Sequence, residues 1–325
     1  MSRRPNKLRG LLALLSGVLA AGSALAQAQW QPTKPVTLIV PYAAGGGTDA
    51  NARAIAQRLS ELWKQPVLVE NVPGADGLLG TRRVIDAKPD GYTLLMQVPS
   101  LLLNKYVPAL KGVDPMAGLA PVSSVAASPA AIVVGAKVPA KTLAELVRYC
   151  KTAGVKCSAA SGENISKLTA RKFAADFGID NLVVASYRGT APIVSDLIGD
   201  NVTMAFTGLT AALPHHKAGT LRVLVTEGET RPRVLPDVPT SAEAGFGDFR
   251  SVTWYGLFAP RATPANVTEA IARMVKEAGQ DARVQQAMSA AAADPVLSSP
   301  AQFAAQIRRE DAYFGALAKR FPFDE

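Results

Sequence analysis

Pro41-Tyr42-Ala43-Ala44-Gly45-Gly46-Gly47-Thr48-Asp49 decides how the rest of this chain is read, because it places a glycine-rich turn between a strand and a helix. Before it, Thr37 to Val40 is an aliphatic and β-branched run; after it, Ala52, Ile55, Ala56, Leu59 and Leu62 recur at helical spacing from Thr48 to Trp63. Glycines let backbone N–H groups approach a ligand closely, and the helix start adds unpaired donors and partial positive charge. Such a turn can cradle an anion. The helix-end effect is worth about 0.3 to 1 kcal/mol when exposed and up to about 2 when partly buried, so one loop binds weakly and two opposed loops are needed.

A second loop of this design follows. Ser158-Ala159-Ala160-Ser161-Gly162-Glu163-Asn164-Ile165-Ser166 again joins a strand to a helix, with Ser166 as the expected N-cap. A third strand-to-helix turn is Ser186-Tyr187-Arg188-Gly189-Thr190-Ala191-Pro192. Arg188 there can pair with a carboxylate, although a solvated surface arginine is the commoner outcome. Thr207, just past the strand Val202 to Phe206, falls at the end of the sheet where open α/β folds place ligands. Asp196 reads as a structural or surface residue, Trp254 and Tyr255 as packing at a domain junction, and His215 and His216 as solvated imidazoles in a turn after Pro214.

Around these loops, strand-like and helix-like runs alternate as expected for mostly parallel sheets covered on both faces. One set covers Thr37 to Met96. A second begins with strand Ala131 to Val134 and continues through helix Leu143 to Lys151, strand Cys157 to Ala160, helix Ser166 to Phe177, strand Leu182 to Ser186, helix Thr190 to Ile198 and strand Leu221 to Thr226. The tail is dominated by helices at Pro264 to Ala278, Asp281 to Ala292 and Pro300 to Arg320, the last opened by the capping-box pattern Ser299-Pro300-Ala301-Gln302. The economical arrangement crosses to a second domain near residue 127 and returns near 236. Domain 1 is then 27–127 plus 236–325, and domain 2 is 128–235; two crossings make a hinge.

The N-terminus carries Arg3, Arg4, Lys7 and Arg9 before the apolar run Leu11 to Ala21 and the small-x-small site Ala24-Leu25-Ala26, which reads as an export signal over 1–26, cleaved after Ala26. Losing those four basic residues, in a segment without acids, lowers the formal charge from +9 to +5. Lys and Arg are otherwise scattered, without the clusters of a nucleic-acid site. Cys150 and Cys157 are the only cysteines; in an exported chain they read as a disulfide, with two free thiols as the alternative. So few His and Cys do not build a metal site, and no cofactor is expected. A dinucleotide reading of Gly45-x-Gly47-x-x-Ala50 with Glu70 is weakened because Pro41 to Ala44 separate strand from glycines and Asp49 would repel a pyrophosphate.

Taken in order, several stretches resemble the Bordetella uptake gene family, the substrate-binding components of tripartite tricarboxylate transporters. They are Pro35 to Asp49, Val69-Glu70-Asn71-Val72-Pro73-Gly74-Ala75-Asp76-Gly77, Pro89 to Leu94, Tyr187 to Pro192, Leu235 to Thr240, Glu243-Ala244-Gly245 and Trp254-Tyr255-Gly256-Leu257. The resemblance implies a two-domain, periplasmic-binding-protein-like type II α/β fold, a venus flytrap in which each domain is a mixed, mostly parallel sheet flanked by helices, with two interdomain crossovers. It implies a periplasmic receptor that performs no chemistry, grips a small carboxylate through main-chain donors and bridging waters, and hands it to membrane subunits of a tripartite tricarboxylate-type transporter. A sensor protein is the alternative partner, and a monomer is expected. The ligand contacts carried over are Tyr42, Ala44, Gly45, Gly46, Gly47, Thr48 and Asp49 on one jaw, Ser161, Gly162, Glu163, Asn164 and Ser166 on the other, Tyr187, Arg188 and Thr190 on the rim, and Thr207. Departures from the family pattern are a shorter second loop, Lys167 where histidine is common, and Thr207 in place of an acid. The last favours a plain mono- or dicarboxylate over an amino acid.

Overall fold

A computed structural model describes residues 30–323 apart from 111, 229, 248–251 and 291; the export segment expected at 1–26 lies outside the described residues. Two mixed sheets share one long strand. In the first, β1 (Val36–Val40) pairs in parallel with β2 (Val67–Asn71) and β3 (Thr93–Gln97). The crossover between β1 and β2 is α1 (Gly47–Trp63), which buries Ala52, Ile55, Ala56, Leu59 and Trp63 against the sheet, the stripe that its helical spacing requires. α2 (Leu78–Ile85) connects β2 to β3.

The shared strand is β4 (Leu119–Gly135), 17 residues long. Its first part pairs antiparallel with β9 (Val252–Pro260), from Leu119 opposite Pro260 to Pro129 opposite Val252. From Ala130 onward it pairs instead with β7 (Met204–Gly208) and β8 (Leu221–Thr226), so the chain changes sheet at Pro129–Ala130. The sequence reading found only Ala131 to Val134 of this strand. The stretch before it, between Pro121 and Pro129, is rich in Ser and Ala with weak strand character, and register shifts around residues 121–126 absorb its irregularity. β9 was also missed within the helical tail, although Trp254, Tyr255 and Phe258 are fully buried there.

The second sheet has the order β8-β4-β7-β5-β6, with β5 (Ser158–Ser161) parallel to both β6 (Val183–Ser186) and β7. It carries α3 (Leu143–Lys151), α4 (Asn164–Phe177), α5 (Thr190–Ile198) and α6 (Leu209–Lys217). After β8 the chain remains with this sheet: Thr226 N–H donates to Pro239 O, Ser241 N–H donates to Thr226 O, and the Phe246 ring meets that of Phe173 edge-on at 5.7 Å. α7 (Ala265–Gly279), α8 (Ala282–Ala290) and α9 (Pro300–Arg320) then complete the first lobe, with β10 (Asp294–Pro295) against β4. The Ser299–Gln302 capping box forms in both directions.

Cys150, near the end of α3, is bonded to Cys157, just before β5; their Cα atoms are 5.4 Å apart and both are buried. The bond closes a short loop, worth about 2 to 3 kcal/mol on the chain-entropy view. Replacing both with serine is therefore expected to lower the thermal midpoint by roughly 5 to 10 °C in circular dichroism, with ligand affinity unchanged.

Candidate functional site

Four helices begin at the junction of the lobes without a side-chain cap. Their N-caps are Gly46 for α1, Glu163 for α4, Gly189 for α5 and Gly208 for α6, and none accepts a capping bond. α1 belongs to the first lobe and the other three to the second. They meet closely: a Cβ on Gly46 would lie 3.9 Å from Thr190 Cβ, and one on Gly47 3.2 Å from Thr210 Cβ. A Cβ on Gly162 would lie 3.1 Å from the carbonyl carbon of Gly189. One backbone bond crosses the gap, from Ala43 N–H to Arg188 O at 3.3 Å. Helix starts leave N–H groups without intrahelical partners and carry partial positive charge, so their convergence on one gap favours an anion.

The first jaw is held by its own acid. Asp49 is buried, and its carboxylate accepts from Gly45 N–H, Arg53 Nε and Asn71 Nδ2, each at 3.0 Å; Asn71 Nδ2 also donates to Tyr42 O at 3.0 Å. Burial would raise Asp49, but the bonds from Arg53, Gly45 and Asn71 hold it below the usual carboxylate range. The carboxylate of Asp49, carried over as a ligand contact, is thus occupied in bracing the loop. Gly45 adopts φ +84°, the left-handed conformation that favours glycine. Ala44 and Gly45 are exposed, whereas Gly46 and Thr48 are buried. Tyr42 is buried and donates from its hydroxyl to Gln97 Oε1 at 3.0 Å.

The second jaw docks on the first lobe. Asn164 Nδ2 donates to Asn104 Oδ1 at 2.6 Å and Ile165 N–H to Ser100 Oγ at 3.1 Å, both partners on the 3-10 segment Pro99–Tyr106. Ser166 is not the N-cap: α4 starts at Asn164, and the Ser166 hydroxyl turns back to Glu163 O at 2.8 Å and lies 2.8 Å from Ser161 Oγ. A hydroxyl in a first turn has the Glu163 carbonyl within reach three residues back, and this bond closes the shorter loop. Gly162 is buried against Gly189. Glu163 is pushed up to about 7, by burial first and by the neighbouring charge of Asp76 second. A raised carboxyl favours the neutral form. The closed protein is therefore unpenalised below the ordinary value near 4.5 and loses stability as pH rises to about 7, by at most about 3 kcal/mol. Glu163→Gln is expected to favour the closed form over wild type at about pH 8 but not at about pH 4.5, which small-angle scattering of the ligand-free protein would show as a smaller radius of gyration at the higher pH only.

On the rim, Tyr187 donates from its hydroxyl to Asp196 Oδ2 at 2.5 Å, and burial, then Asp196, push it up to about 12. Arg188 is exposed, and its carbonyl makes the contact across the gap. Thr190 and Thr207 approach through their hydroxyls at 3.4 Å. Lys167 forms an ion pair with Asp76 of the first lobe, Nζ to Oδ2 at 3.0 Å. Asp76, quoted above only within the stretch Val69 to Gly77 and given no role there, sits at φ +51°. Ser100, Asn104, Thr210 and Glu227 also reach the junction, and no periodicity or motif signals them. Tyr255 is core packing, as read, and also donates to Thr210 Oγ1 at 3.1 Å across the lobes.

The remaining candidates lie away from this gap. Glu70, the acid of the dinucleotide pattern, is ion-paired with Arg83. His215 and His216 lie in the last turn of α6, not in a free turn, because Pro214 is accommodated inside the helix; His216 Nδ1 accepts from Val223 N–H at 3.2 Å. Among the described residues no group of three or more His, Cys, Asp or Glu could hold a metal, and no helix is long and apolar enough to cross a membrane.

Two lobes joined by crossing strands, with helix starts from both lobes converging on the gap, define a solute-binding receptor. The chain belongs to the tripartite tricarboxylate transporter receptor family: the model described as "Tripartite tricarboxylate transporter family receptor" matches residues 51–321. It is 32% identical to the protein BugT of Bordetella pertussis over 300 residues, 90% of this chain and 91% of that protein. The solved periplasmic binding protein BugD superposes with a TM-score of 0.85 at 28% identity, over 90% of this chain and 99% of its own. A Rhodopseudomonas palustris protein solved with adipate superposes with a TM-score of 0.84 at 28% identity, over 89% of this chain and 97% of its own. The protein is a periplasmic receptor of the tripartite tricarboxylate transporter family.

Proposed function

We propose that the protein captures a small mono- or dicarboxylate between Tyr42–Asp49 on one lobe and Ser161–Ser166 on the other, with Tyr187, Arg188, Thr190 and Thr207 at the rim. The observation that carries this reading is the meeting of four uncapped helix starts from two lobes. The similar fold of a protein solved with adipate supports it. A carboxylate touching both jaws binds the closed form more tightly than the open one, and that difference in affinity drives closure. Membrane subunits of the transporter then recognise the closed shape. In this reading the signal is cleaved after Ala26, the mature receptor is a monomer, and the lobes divide near residues 127–130 and again after Phe246, later than the 236 read from sequence.

A thermal-shift screen of organic acids tests the assignment. A ligand at a hundred times its dissociation constant should stabilise the protein by about 2.7 kcal/mol, a rise of roughly 4 to 6 °C. If no mono- or dicarboxylate at millimolar concentration moves the midpoint, the assignment is wrong.

A further inference from the structure

We propose that the ligand of this receptor carries a protonated amine beside its carboxylate, and that Glu227 is the residue that reads the amine. The inference rests on the carboxylate-receptor reading above, adds the second group of the ligand, and reverses the preference for a plain acid drawn from Thr207, because Glu227 supplies an acid that Thr207 does not.

Glu227 directly follows β8, and its N–H donates to Ala130 O, where β4 passes from one sheet to the other. Its side chain is only 1% exposed, and neither carboxyl oxygen has a hydrogen-bond partner. It lines a small cavity of about 10 Å³ beside the seam between the lobes, room for one compact group, together with Glu163, Ser166, Thr207, Gly208 and Thr253. The register explains why it reaches there: Thr207 and Thr226 both lie opposite Ala131, on either side of β4, so Glu227 emerges two strands across from Thr207 at the same end of the sheet.

No Lys, Arg or His is among the residues that line this pocket. A buried carboxyl without donors is costly when charged, and Glu227 is held well above the ordinary value by burial alone. Native proteins rarely leave such a group without a purpose. An ammonium supplies both what is missing, a positive charge and up to three N–H donors, in a compact group. A second ligand carboxylate at this point would instead set like charges together. The same small cavity is bordered by Glu163, the N-cap of α4, and Gly208, the N-cap of α6, so the helix starts proposed to hold the carboxylate lie next to the acceptor for an amine. That combination of opposite signs matches a zwitterion better than a plain diacid.

Isothermal titration with two matched pairs tests this: L-aspartate against succinate, and L-glutamate against glutarate, on the wild type and on Glu227→Gln. In at least one pair the amino member is expected to bind wild type at least tenfold more tightly than its deaminated partner. Glu227→Gln is expected to lose at least tenfold for that amino member and to change the deaminated one by less than threefold. Adding Thr207→Glu to Glu227→Gln should restore part of the preference, and the wild-type ratio stands without either variant. Deaminated acids that bind as tightly as their amino partners, or a variant that weakens both equally, overturn the proposal and leave the carboxylate receptor intact. Should plain acids from the thermal screen bind while both amino acids are inert, the proposal also fails. If no acid of any kind binds, both readings fall together.

Discussion

Gly47→Val is expected to weaken ligand binding by at least 100-fold while each lobe stays folded. A Cβ at this position would lie 2.7 Å from the Tyr255 hydroxyl and 3.2 Å from Thr210 Cβ. Thr210 belongs to the second lobe and holds the Tyr255 hydroxyl by a 3.1 Å hydrogen bond, so the added side chain enters the seam that closure must seal. Inserting bulk into a packed site costs about 1 to 3 kcal/mol; opening removes the Thr210 contact and breaks the bond from the Tyr255 hydroxyl to Thr210, which lets that hydroxyl, on the same lobe as Gly47, move aside, so the lobes escape most of the cost by staying apart. The penalty therefore falls on closure and not on folding; 100-fold corresponds to about 2.7 kcal/mol. Titration calorimetry against the best acid from the thermal screen would measure the loss. Small-angle scattering should show that ligand no longer contracts the variant, and a fully closing, fully binding variant would remove the seam from the account.

Lys167→Met is expected to cost about tenfold in affinity. Lys167 and Asp76 join the lobes with side-chain exposures of 20% and 18%, so the pair is largely covered and less screened than a surface pair. Without the ammonium, Asp76 is left facing Glu163, whose carboxyl already senses its charge. Removing one partner of a largely covered pair costs more than removing both. Lys167→Met combined with Asp76→Asn should therefore recover most of the affinity, and a double-mutant cycle reads the coupling directly. Equal losses in the single and double variants would show that the pair does not hold the closed form.

Much of this architecture was legible because local chemistry and tertiary role agree. α1 buries the stripe that its spacing announces, the Ser299–Gln302 box forms, and the glycine turns stand at helix starts. What was missed depended on partners distant in sequence. The Ser/Ala/Pro-rich first part of β4 has weak strand character by itself and is stabilised by pairing with β9, more than 120 residues later. Asp49 looks like a ligand contact because it stands at a helix start, and only the positions of Arg53 and Asn71 reveal its bracing role. Glu227 carries no local pattern at all. It becomes visible when β4 sets Thr207 and Thr226 on either side of Ala131.

A crystal structure of the protein with a bound carboxylate ligand tests the central claim most directly. One ligand carboxylate is expected within hydrogen-bond distance of main-chain N–H groups from both Ala44–Thr48 and Gly162–Ser166. A carboxylate held by one lobe alone, or seated outside the gap between these loops, would contradict it.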